Sequence, residues 1–143
     1  MPVFAVEITL TDSVFARRSA NEVNVVIPVH LKNLDARILY YEECGHALQR
    51  REGSSWRAIQ LPCGRTTPYS FALSGGESHL FTIRWREPLP STDWPAVDAA
   101  GEYRLILWLT SVPRNSYGFP PEPLAPASRT SPTFSIEEIV VVL

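Results

Sequence analysis

Lysine is almost absent from this sequence: Lys32 stands alone among thirteen basic residues, the rest being arginine. That skew reads as a composition bias of the source genome, not as a functional signal. Cysteine is scarce too, with Cys44 and Cys63 the only two, and structural zinc sites usually need two closely spaced ligand pairs. No apolar run approaches the ~20 residues required to span a membrane. Net charge is small, formally -2, so no overall pull toward nucleic acid or anionic lipid is expected. The sequence has no Gly-x-Ser-x-Gly elbow, no His-Glu-x-x-His and no phosphate-cradling glycine loop. Neither an enzyme nor a cofactor-binding protein is expected, and no metal site. No segment shows a sustained helical period.

What the chain does have is alternation. Hydrophobic residues make up 45% and charged residues 20%, ordinary values for one globular domain over 1–143. The clearest stretch is 101–110, where Tyr103, Leu105, Leu107 and Leu109 alternate with Arg104, Ile106, Trp108 and Thr110. A period of two with large apolar residues predicts a strand that buries one side. Residues 22–34 repeat the pattern through Val23, Val25, Ile27, Val29 and Leu31. Pro28 falls on the other parity and lacks an N–H, which predicts an edge or a bulge there. Residues 78–86 set Phe81, Ile83 and Trp85 against Thr82, Arg84 and Arg86. A hairpin is predicted within 47–61, around Gly53-Ser54, and 74–77 reads as a tight turn whose glycines supply positive φ. Residues 11–21 read as a connection or a short edge strand, and 87–100 as a long crossing connection. After 101–110 comes 112–132, with six prolines and no periodicity. A strand over 133–143 closes the chain, its alternation broken at Glu137-Glu138.

Four of these pieces together resemble the immunoglobulin-like β-sandwich domains of small bacterial extracytoplasmic proteins and lipoproteins. They are 25–34, ending Lys-Asn-Leu, then 38–44 (Ile-Leu-Tyr-Tyr-Glu-Glu-Cys), 73–83 and 101–107 (Gly-Glu-Tyr-Arg-Leu-Ile-Leu). A similar architecture with a Gly-x-Tyr corner occurs in a bacterial intracellular proteinase-inhibitor family. The resemblance implies an all-β, immunoglobulin-like Greek-key β-sandwich of roughly seven to nine strands. Gly101 and Tyr103 would define its corner, the tyrosine hydroxyl bonding back to the preceding connection. The inter-sheet disulfide of antibody domains has no counterpart, since Val25, Ile27 and Leu105 stand where its halves would be.

The function expected from this reading is a non-catalytic protein-interaction or structural module. The two alternatives are a proteinase inhibitor presenting 112–132 or 87–95 as a rigid loop, and a carbohydrate-binding domain using Trp56, Trp94 and Trp108. The leading candidate surface is the proline-rich loop. Tyr117, Phe119, Pro120, Pro121 and Leu124 would offer stiff apolar area, with Arg114, Glu122 and Arg129 as polar anchors. Its partner would be another protein, unidentified. A homodimer through the apolar end of the C-terminal strand, 139–143, is a further expectation.

Cys44 and Cys63 each sit beside a glycine in a turn-like context and are expected to form a disulfide worth about 3 kcal/mol. That reading outweighs a metal site built from Cys44, His46 and Cys63 with Glu42 or Glu43. A disulfide implies an oxidising compartment: periplasm, cell surface or secreted, with the cytoplasm as the alternative. Residues 2–10 alternate as a strand does, unlike a secretory leader. A signal peptide or lipid-attachment cysteine upstream of Met1 would fit the extracytoplasmic reading.

Overall fold

The computed structural model describes residues 3–10, 14–42, 46–61, 70–88, 100–113 and 122–140. Among them run eleven strands: β1 (Val6–Leu10), β2 (Val14–Arg18), β3 (Glu22–Asn33), β4 (Leu39–Glu42), β5 (Ala47–Glu52), β6 (Ser55–Gln60), β7 (Ser70–Leu73), β8 (Ser78–Pro88), β9 (Gly101–Ile106), β10 (Leu109–Thr110) and β11 (Phe134–Val140). A one-turn 3-10 helix, Pro126–Ser128, is the only helical element among the described residues. The protein is an all-β sandwich of two sheets. The strand count exceeds the expected seven to nine because long strands are broken. The strand expected over 101–110 becomes β9 and β10, and β4 and β5 run beside it with a matching interruption.

The larger sheet has the order β1-β3-β2-β11-β9-β5-β6, with β8 on the other side of β3; the smaller is β10-β4-β7. All neighbours are antiparallel except β2 and β11, which pair in parallel over Val14–Arg18 and Ile136–Val140. Val25, Ile27 and Trp85 from β3 and β8 and Leu48, Ile59, Tyr103 and Leu105 from β5, β6 and β9 share one apolar core. The odd-numbered residues of β3 are its spine, Val23 at 1% exposure and Val25, Ile27, Val29 and Leu31 at 0%. Burying each such side chain stabilises the fold by roughly 1.5–3 kcal/mol.

Pro28 is neither at a sheet edge nor in a bulge. Asn33 N–H bonds Glu77 C=O on the β8 side, whereas Leu34 N–H bonds Ala5 C=O beyond the β1 end. Odd positions of β3 therefore point their amides at β8 and even positions point theirs the other way. On that other side β1 pairs with Val29–Asn33 and β2 with Val23–Val25. Pro28 falls in the gap between them, where no ladder bond is missed.

Residues 14–18, expected to be a connection or an edge, form an interior strand. Two inward side chains, Val14 at 2% and Ala16 at 0% exposure, suffice because β3 and β11 supply the pairing. The end of β3 is fixed by Asn33, fully buried, whose Nδ2 donates to Arg37 C=O and Leu73 C=O, both at 2.8 Å. Its Oδ1 accepts from Asp35 N–H at 2.9 Å. In the 74–77 turn only Gly76 needs positive φ, at 84°. Gly75 is required for a different reason: a Cβ there would lie 2.7 Å from the Asp35 carbonyl oxygen. The hairpin joining β5 to β6 turns on Gly53, φ 64°, followed by Ser54 with negative φ, the type II′ pattern.

Candidate functional site

The outer face of β2, β3 and β8 carries a groove. Side chains on that face follow from the register. Phe15 lies across from Val26, which pairs with Arg84; Arg17 pairs with Asn24, which pairs with Arg86. On the far side, Glu137 of β11 pairs with Phe15 and Ile139 with Arg17. Two rows therefore cross four strands: Glu137–Phe15–Val26–Arg84 and Ile139–Arg17–Asn24–Arg86. Phe15, Arg17, Asn24, Val26 and Arg84 enclose a groove of about 360 Å³. That is within the usual range of binding pockets, about 300–1,000 Å³.

Three properties set this groove apart. Its apolar residues are open to solvent, Phe15 at 39%, Val26 at 37% and the neighbouring Ile139 at 43% exposure. Asn24 lines it too, and its Oδ1 atom is buried with no hydrogen-bond partner among the described residues. The third concerns arginine. Arg18, Arg37, Arg51, Arg57 and Arg86 are paired with Glu138, Asp35, Glu102, Glu52 and Glu22. Arg50, Arg104 and Arg129 donate to Ala100 C=O, Gln49 Oε1 and Leu124 C=O. Arg17 and Arg84 are the two described arginines with no such bond, and both line this groove. A charged, donor-only guanidinium pair flanking exposed apolar surface is suited to gripping an anionic ligand by paired hydrogen bonds. None of the five groove residues was singled out from the sequence. The alternation of 78–86 put Arg84 on the outward face, but bringing it beside Arg17 requires the strand pairing.

The residues singled out beforehand lie elsewhere. Arg114, Tyr117, Phe119, Pro120 and Pro121 fall outside the described residues, as do Cys44, Cys63, Trp94 and the connection 89–99. Of the proline-rich stretch, 122–132 is not a free loop. Leu124 N–H bonds Leu109 C=O, Leu107 N–H bonds Arg129 C=O, and Ser131 N–H bonds Leu105 C=O. This return path runs back along β10 and β9 and ends in β11. Glu122 is exposed, but Leu124 is half-buried against the core and is no projecting anchor. Glu87 and Pro88, expected to open a connection, instead end β8 opposite Val23 and Glu22, so the inhibitor alternative keeps only 112–121 and 89–95. Gly101 opens β9 and Tyr103 lies within it, fully buried with its ring 6.2 Å from Phe134. Gly101 lies close under Arg50, whose Nε would be 3.0 Å from an added Cβ. Of the stretch 139–143 expected to mediate a homodimer, residues 141–143 fall outside the described residues; Ile139 and Val140 pair with β2 on one side, while the β9 pairing on the other side ends at Ile136.

Trp56 sits beneath the Arg104 guanidinium, 4.4 Å from ring centroid to Cζ. It is level with the start of β9, whereas Trp108 lies just past its end, so the two do not make one flat platform. Trp108 belongs to a second cluster. There β9 gives way to β10, and the Trp108 N–H donates to His46 Nδ1 at 3.2 Å. Nδ1 therefore carries no proton, and Nε2–H donates to the Tyr41 hydroxyl at 2.8 Å. Burial pushes the His46 pKa down to about 4, in keeping with a neutral ring. With both nitrogens engaged, His46 has no lone pair for the metal set considered above. No group of three or more potential ligand side chains occurs among the described residues.

Comparison with known proteins adds little. No family model matches the sequence, and no curated protein does. Among solved structures the chain is similar to a CARDB domain from Pyrococcus furiosus, determined in complex with di-metal ions. Identity is 17% and the TM-score 0.37, over 99% of this chain and 96% of that one. It is also similar to the alkylpurine DNA glycosylase AlkC of Pseudomonas fluorescens, determined bound to DNA with an abasic-site analogue. There identity is 10% and the TM-score 0.38, over 92% of this chain and 30% of that chain. Both superpositions are loose, and neither assigns a function to this chain.

Proposed function

We propose that this sandwich is a non-catalytic protein-binding module that engages its partner through the groove on the outer face of β2, β3 and β8. The observation that carries this reading is the exposed apolar pair Phe15 and Val26, flanked by the two described arginines that make no bond of their own. Apolar area gives adhesion and the fixed charges give orientation, the division of labour found at protein interfaces. Two histidines are committed to structural bonds, His46 as above and His30 through Thr9 Oγ1 at 3.3 Å. That supports a binding role over acid–base chemistry. The extracytoplasmic setting belongs to the same proposal and rests on the Cys44–Cys63 pairing. Mass spectrometry under non-reducing conditions tests it, and two free thiols per chain would remove it.

The groove reading is tested with a random peptide library, selected on the wild type and on Val26→Trp. That variant fills the groove without altering its charge, at an already exposed site. The wild type should enrich peptides that Val26→Trp does not hold, circular dichroism confirming that both proteins fold. Enrichment of the same peptides by both proteins, or of none by the wild type, would refute it.

A further inference from the structure

Building on that reading, we infer that the groove takes an extended acidic peptide with the pattern acidic–x–apolar–x–acidic. Arg17 and Arg84 stand on strands separated by β3 and one row apart. Sheet spacings put their Cβ atoms roughly 12 Å apart along a diagonal. In an extended chain, side chains on one face four residues apart are separated by about 13 Å. Carboxylates at those two positions would reach both guanidiniums, and the side chain midway would rest on Val26 and Phe15. The crossing passes over Asn24, which lines the groove between the two arginines.

The charges around the groove favour a peptide over a polyanion. Glu137 ends one row beside Phe15, and Glu22 is paired with Arg86 at the end of the other. A long phosphate backbone would run into this acidic margin, whereas a short ligand with discrete carboxylates fits inside it. The chain as a whole carries a net charge of -2, which also disfavours a nucleic acid.

The test uses the full chain and a labelled peptide, acetyl-Ser-Glu-Thr-Leu-Thr-Glu-Ser-amide, followed by fluorescence anisotropy. Saturable binding is expected, weakening several-fold between low and physiological salt. Arg17→Gln and Arg84→Gln should each reduce affinity about five-fold, in line with single exposed charge pairs. Arg57→Gln, on β6, should leave it unchanged. Equal binding of the peptide with both Glu replaced by Gln, or unchanged affinity in both groove variants, would overturn the inference. So would tighter binding of a single-stranded oligodeoxynucleotide of similar length. The library selection separates the two levels of the argument. Groove-dependent peptides without carboxylates would leave the module reading standing and sink the acidic partner. No groove-dependent peptides at all would sink the module reading itself.

Discussion

Lowering the pH from 7.5 to 5 should cost the fold about 2 kcal/mol through one side chain, His46. In the folded protein the ring's pKa is about 4, against an ordinary 6.5, because burial disfavours the charged form. Protonation of Nδ1 would also break the bond from Trp108 N–H. As the pH falls below 6.5 the unfolded chain takes up a proton that the folded chain refuses. The stability tied to the neutral ring is thus complete above 6.5 and is lost progressively down to about 4. Each pH unit inside that window is worth up to about 1.4 kcal/mol, and by pH 5 the loss integrates to about 2 kcal/mol. No ion pair with an acidic group offsets it among the described residues, the ring's neighbours being Tyr41, Phe81 and the Trp108 amide. The assay is urea unfolding at pH 7.5 and pH 5 for the wild type and His46→Asn, whose amide oxygen can replace Nδ1 as acceptor. Subtracting the two removes every contribution common to both proteins. Staying at or above pH 5 keeps clear of Asp35, whose carboxyl is held below the usual range chiefly by its hydrogen bond from Arg37. If both proteins lose stability equally between the two pH values, buried His46 is not the source of the loss.

Three further substitutions probe the frame. Asn33→Ala removes a buried amide serving Arg37 C=O, Leu73 C=O and Asp35 N–H, and should cost about 3 kcal/mol in chemical denaturation. Gly75→Ala forces a Cβ against the Asp35 carbonyl and should destabilise by about 1–3 kcal/mol, read as a lower Tm, although its φ is unremarkable. Leu124→Ala should lower stability by about 1–2 kcal/mol and speed amide exchange at Leu107 and Ser131, since it loosens the return path along β9.

The core was the most legible part of the sequence because a period of two is a local signal. Val23 to Leu31 and Tyr103 to Leu109 announce buried faces without knowledge of any partner strand, and both faces are buried. Pro28 was half legible: its missing N–H demanded a place without a ladder bond, but an edge or a bulge was expected. The hand-over from β1 to β2 meets the same demand within an interior strand. Strand β2 was illegible because only Val14 and Ala16 turn inward and its stability comes from distant neighbours, one of them parallel. The stretch 122–132 misled through its prolines. They deny it a regular ladder, yet Leu124, Arg129 and Ser131 each contribute single bonds that tie it down.

The groove escaped the sequence for a related reason, and that reason strengthens it. An outward-facing arginine on a strand is unremarkable, and surface pairs are worth little individually. What distinguishes Arg17 and Arg84 is visible only once every other described arginine has been accounted for, five with carboxylates and three with carbonyl or amide oxygens. A sequence with more than one acid for each basic residue, fifteen against thirteen, has ample means to pair these two as well. Instead Arg86, next to Arg84 on the same face, is paired with Glu22, while Arg84 faces exposed Val26. Chance would scatter unpaired arginines over the surface. Their meeting across one groove, beside open apolar side chains, is what the inferred ligand carboxylates would complete.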